Sequence, residues 1–316
     1  MKRSIALSII SILILVCATG CGADKQPTGV TTEEVTEPPP TSQITESEAP
    51  TTTTEIQMTV PSGYTLNRDI SVEEQVLSEQ DNVRITLTSL NMDSYFGPEF
   101  FMYIENDNDY QIAVQPKNAA INGIMVDAMM LAEVDAGSKI YDSFSFMLVD
   151  LEECGIETIK DVELKFNIYD AETWELKSVI DTAYFASSAD PGYVQEYDES
   201  GTALVNQNGV RVISGELDFE SSDWGPTLHL YIANDSVDDI TVQLIEASMN
   251  NYLMNPYFIC DVLSGKKAYT SVIFLQDQMD ENGITNVDEI KLRFSVVNSG
   301  ADGAALFETD TVTLRF

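Results

Sequence analysis

The chain has 316 residues, about two domains' worth at roughly 100 to 200 residues each. Its 16 Lys and Arg stand against 52 Asp and Glu, a formal net charge of −36, and an acidic surface repels nucleic acid, so nucleic-acid binding is excluded as a main role. A hydrophobic content of 44% with 9% aromatics belongs to a globular protein that carries its acid outside.

Lys2 and Arg3 precede an apolar run from Ile5 to Val16. The run is shorter than the ~18 residues of a membrane-spanning helix and has the length of a signal-peptide core, which predicts export. It ends in Cys17-Ala18-Thr19-Gly20-Cys21, small residues leading to a cysteine. These residues resemble a bacterial lipoprotein signal. The resemblance implies a signal peptide over residues 1–20 and lipid modification of Cys21 (diacylglycerol, palmitate), which would hold the protein on the extracytoplasmic face of the cell membrane. Two long acyl chains suffice for stable anchoring, at about 0.8 kcal/mol per buried methylene.

Residues 21–66 form the expected lipid-anchored linker. Its stretch 24–60 is dominated by Thr, Glu and Pro and has almost nothing apolar to bury, which predicts a disordered tether. At ~3.1 Å per residue in the polyproline limit, such a tether reaches at most about 115 Å.

Beyond the linker the sequence repeats itself at an offset of 128. Gly97-Pro98 falls on Gly225-Pro226, Tyr103-Ile104 on Tyr231-Ile232, Asn106-Asp107 on Asn234-Asp235 and Asn122 on Asn250. Gly137 falls on Gly265, Lys139 on Lys267, Tyr141 on Tyr269, Phe146 on Phe274 and Gly155-Ile156 on Gly283-Ile284. Between residues 97 and 166, 22 of 70 positions are identical without a gap, the signature of a duplicated unit. Upstream the offset is 127 and pairs Val83-Arg84-Ile85 with Val210-Arg211-Val212, so the second copy has one extra residue before Gly225. Residues 67–188 and 189–316 are the expected domains.

Each copy reads as β. Val83, Ile85 and Leu87, then Leu228, Leu230 and Ile232, then Leu164, Phe166 and Ile168 alternate with polar or mixed neighbours, giving strands with one apolar face. Asn208-Gly209 between two such strands predicts a two-residue hairpin turn. Pro256 argues against a helix at residues 126–134 and their counterparts. Short helices are expected at Met147–Cys154 and Leu275–Asn282, each stopped by a left-handed glycine. Six to eight short strands per roughly 110 residues predict two tandem immunoglobulin-like antiparallel β-sandwiches, all-β apart from one short helix each.

The order GP, IxN, N, VxxGxK, F, GI and LxF, present twice, resembles a tandem β-sandwich module of uncharacterised surface lipoproteins of Clostridia-like Gram-positive bacteria. The resemblance implies location and fold and no activity.

No catalytic set is expected. His229 is the only histidine, so no His-based triad or metal centre can be assembled, and no nucleophile elbow or phosphate loop occurs. Gln278 to Gly283 with Glu289 loosely echoes a calcium loop, but Gln stands where the first aspartate belongs, and the helix stop explains the same glycine. No metal and no cofactor are predicted. Glu105 to Asp109 is expected to be a solvated turn. Trp174, after the turn Asp170 to Thr173, is the candidate sugar-stacking platform, whereas Trp224, equivalent to Phe96, is expected to pack. Cys154 and Cys260 occupy non-equivalent places and are expected to be buried thiols. The functional expectation is a surface interaction or structural module that meets an unidentified protein or glycan at the cell surface. A carbohydrate-binding module is the alternative, and a cell-wall or glycan hydrolase is third.

Overall fold

The alternation at Val83, Ile85 and Leu87 carries through into structure: all three side chains are buried, as are Phe100, Met102 and Ile104 on the neighbouring strand. The computed structural model describes residues 63–299 and 305–316. The expected signal segment, Cys21 and the stretch 24–60 lie outside them.

The first copy comprises β1 (Gln75–Gln80), β2 (Val83–Asn91), β3 (Glu99–Asn106), β4 (Ile112–Ile121), β5 (Ile124–Met125), β6 (Ala128–Met129), β7 (Ala132–Val134) and β8 (Ser138–Phe146). The helix α1 (Leu148–Glu153), β9 (Asp161–Asp170) and β10 (Leu176–Ala186) complete it. The second copy has β11 (Thr202–Gln207), β12 (Val210–Asp218), β13 (Thr227–Asn234), β14 (Ile240–Met249), β15 (Tyr252–Met254), β16 (Ile259–Val262) and β17 (Lys267–Ile273). The helix α2 (Gln276–Glu281), β18 (Glu289–Asn298), β19 (Ala305–Glu308) and β20 (Val312–Arg315) follow.

The fold is all-β and sandwich-like. In the first copy the sheet β1-β2-β3-β8-β6 packs on β10-β9-β4, with Phe100 and Phe144 stacked at 5.0 Å and Phe185 and Phe166 reaching them from the opposite sheet. In the second copy β11-β12-β13-β17 shares its core with β14 and β18 and their short partners β15, β16, β19 and β20. Full burial of each such aromatic contributes about 1.5 to 3 kcal/mol.

The helix-stop glycines and the Asn-Gly turn take the local structures their sequences predict. At the end of α1, Gly155 has φ 63° and donates to Glu152 O (2.9 Å), while Ile156 donates to Leu151 O (2.8 Å) and is itself buried. Gly283 (φ 67°) and Ile284 repeat this at α2, bonding Asp280 O and Met279 O. This is the double hydrogen-bonded stop that only a left-handed residue closes. Asn208 and Gly209 both have positive φ, as do Asp81 and Asn82 in the same hairpin of the first copy.

The copies differ at one sheet edge. Ala128 lies opposite Phe146 and lets β6 pair with β8, but its counterpart Pro256 has no N–H, and the described residues form no such strand there. The edge of β17 instead accepts β5 of the first copy in parallel, with Lys267 opposite Ile124 and the Lys267 N–H donating to Gly123 O (3.0 Å). One sheet therefore runs from β10 through both copies to β11.

Candidate functional site

On β3 and β8 three aromatic residues, Phe101, Tyr103 and Tyr141, stand between the core residues and turn outward. Phe101 stacks on Tyr141 (5.5 Å, 6° between planes), and Tyr103 lies 5.0 Å from Tyr141. Tyr103 is 38% exposed and Tyr141 53%. Two cations flank the rings. Lys139 Nζ sits 4.2 Å over the Tyr103 ring and meets Glu105 (3.0 Å), and Arg84 on β2 meets Glu79 at 3.4 Å. Glu79 is exposed and Glu105 half-buried, and ion pairs at the surface exchange readily.

The second copy holds the same residues at the same places. Arg211, Tyr231, Lys267 and Tyr269 correspond to Arg84, Tyr103, Lys139 and Tyr141. Here, however, Tyr231 is only 4% exposed, because the segment linking the copies lies over it. Glu199 accepts from both Arg211 guanidinium nitrogens (2.5 and 3.2 Å) and from the Tyr231 hydroxyl (3.0 Å). Lys267 Nζ lies 4.7 Å over the Tyr197 ring, and the Asp198 N–H donates to the Tyr269 hydroxyl (2.7 Å). The Arg211 hydrogen bonds hold the Glu199 carboxyl below its ordinary range, and burial followed by Glu199 pushes the Tyr231 phenol up. The outer face of β13, read from sequence as the strand's other, non-core side, is thus covered at Tyr231 and Ala233.

The other candidate residues are dispersed. Trp174 closes the β9–β10 turn with φ 58°, is 50% exposed, and lies 6.0 Å from Tyr169. It belongs to the sheet opposite the Phe101, Tyr103 and Tyr141 ladder. Trp224 is 70% exposed, so its expected packing role is not what is found: its backbone carbonyl caps the start of α2 by accepting from Gln276, while the ring projects away. Gln278 and Asp280 lie within α2 rather than in a loop, and among the described residues no three acidic, His or Cys side chains converge on a metal-sized site.

Asn106 organises the turn that follows it. Fully buried, its amide donates to the carbonyls of Tyr110, Val134 and Asp135, and its oxygen accepts the Asn108 N–H; Asn234 does the same with Asp238, Val262 and Ser236. Cys154 is a buried free thiol and Cys260 a half-buried one. Burial, then nearby acids including Asp127, pushes both up to about 12, which keeps them protonated and unreactive. Asp150, crowded by burial, Glu153 and Asp127, is raised to about 6. Burial also raises neighbouring Glu153, against the opposing pull of His229.

No protein-family model matches the chain, and no curated protein matches it. Among solved structures, the YadV chaperone is similar over 69% of this chain and 92% of its own at 10% identity, with a TM-score of 0.21. The Salmonella enterica SafA pilin in complex with the SafB chaperone gives 69%, 89%, 10% and 0.19 for the same quantities. Red sea bream transglutaminase is similar over 79% of this chain and 31% of its own at 8% identity and a TM-score of 0.19.

The open ladder on the first copy is not among the sequence-based expectations, because its members are far apart in the chain and meet only when β2, β3 and β8 pair. Arg84, Tyr103, Lys139 and Tyr141 all recur in the second copy, where the strap contacts their counterparts; in the first copy they stand on the non-core side of their strands, where packing on the sandwich core does not require identity.

Proposed function

We propose that the chain is a lipid-anchored extracytoplasmic lipoprotein whose two sandwiches form a non-enzymatic interaction module. The observation that supports the interaction reading is the face of Phe101, Tyr103, Tyr141, Lys139 and Arg84. It is open on the first sandwich, while its counterpart on the second is covered by the chain itself. Exposed rings grouped beside cations on an otherwise acidic protein mark a place where a partner replaces water. Anchoring rests on Cys21 at the end of the signal-like segment. The test is fractionation of cells expressing Cys21→Ser, with release into the medium or accumulation of unprocessed precursor expected. An unmodified mature N-terminus elsewhere in the native protein would refute the anchor.

The second reading is carbohydrate binding, favoured by the half-exposed Trp174 ring beside Tyr169. Glycan-array binding by the native chain that Trp174→Ala abolishes would establish it in place of the first.

A further inference from the structure

The strap across the second sandwich shows what fits the open face of the first. In the covered copy an extended stretch, Tyr197-Asp198-Glu199, meets four side chains in a fixed order. A ring goes under Lys267, a backbone N–H to the Tyr269 hydroxyl, and a carboxylate to Arg211 and the Tyr231 hydroxyl. In the first copy the same four residue types stand on the equivalent strands β2, β3 and β8, with no chain over them among the described residues.

Resting on the reading of the chain as an interaction module, we infer that Arg84, Tyr103, Lys139 and Tyr141 bind an extended acidic peptide of a partner, one that places an aromatic ring two residues before a glutamate. The strap itself argues for this occupant: its Glu199 carboxylate is met by Arg211 and the Tyr231 hydroxyl in the covered copy, and Arg84 and Tyr103 offer the same donors to a carboxylate in the first. Glu79 and Glu105, which pair with these cations, correspond to Asn206 and Ala233 in the covered copy. Glu79 is exposed and Glu105 half-buried, and both lie at the protein surface where an ion pair exchanges for a ligand carboxylate at little cost. Phe101 stands where the second copy has His229, and it widens the ring surface beside Tyr141. The arrangement reads a guanidinium–carboxylate pair and a ring at a fixed separation, which a sugar cannot supply.

The probe is a labelled peptide copying residues 194–201, Val-Gln-Glu-Tyr-Asp-Glu-Ser-Gly, titrated into the full chain in detergent. Saturable binding is expected. It should weaken about tenfold or more in Arg84→Ala and in Tyr141→Ala, both exposed and checked by circular dichroism to remain folded. It should be unchanged in Arg211→Ala, and a peptide with Lys in place of its second Glu should not bind. Absence of saturation up to about 5 mM overturns the inference. So does binding lost in Arg211→Ala but retained in Arg84→Ala, since the peptide would then be displacing the internal strap. So does a Tyr141-dependent oligosaccharide signal without peptide binding. Each failure leaves the Cys21 fractionation result standing, so the site and the anchored module are judged separately.

Discussion

The Lys267 N–H donates to the Gly123 carbonyl across the joint between the two copies, and around this bond Met125 packs into the second core while Lys266 pairs with Glu163. The joint is thus made of the same materials as the sandwiches. Calorimetry of the native chain is expected to show one transition for both copies. Met125→Asp combined with Glu163→Ala should remove about 2 to 4 kcal/mol of coupling and split it into two. A transition that stays single and unshifted would show that the copies do not depend on this joint.

Gly97 and Gly225 offer a comparison with the helix-stop glycines. A Cβ on Gly97 (φ 142°) would lie 2.2 Å from Phe146 O, and one on Gly225 (φ 135°) 2.2 Å from Phe274 O, whereas one on Gly155 meets nothing within 4 Å. Gly155→Ala is expected to cost about 1 to 2 kcal/mol for its left-handed backbone alone. Gly97→Ala must also move main chain and should cost about 3 kcal/mol or more. Urea denaturation of the two variants checks the order, and equal effects would contradict it.

Asn106→Ala removes the buried amide that bonds the carbonyls of Tyr110, Val134 and Asp135 and the Asn108 N–H. A loss of about 2 to 4 kcal/mol is expected, with a similar loss for Asn234→Ala. Asp107→Ala, on the exposed side of the same turn, should change stability by less than about 0.5 kcal/mol.

Mild acid should stabilise the fold near α1. Asp150 is raised from an ordinary carboxylate value of 3.8 to about 6, so the folded state holds its proton more tightly than the unfolded chain. The stability that this proton adds is complete below pH 3.8 and is lost as pH rises through 6. Asp150→Asn is therefore expected to raise stability at pH 7 by about 1 kcal/mol, a figure discounted because the group is partly solvated. Its advantage should vanish at pH 4, and thermal melts at the two pH values decide it.

Much of the architecture was legible because duplication doubles each signal. Pro256 corrected the helical look of Val126 to Val134, and the paired Gly-Ile steps at 155 and 283 marked both helix ends. What stayed hidden depends on contacts distant in sequence. Tyr231 reads as a solvent-facing strand residue until the strap from Tyr197 to Glu199 is laid across it. Trp224 matched Phe96, and Phe96 is itself half exposed, so equivalence between the copies was no sign of burial. The ladder was missed for a related reason. Identity at outward positions reads as part of the fold, whereas Tyr103 and Tyr141 are exposed beyond a third of their surface and are not held there by the core.

Because the copies meet through a shared sheet, bending between them would have to break hydrogen bonds rather than rotate a loose linker. Tandem modules on free linkers swivel and absorb a pull at the joint. Through the β5–β17 pairing, a pull on the first sandwich reaches the second along main-chain hydrogen bonds instead of being absorbed at the joint.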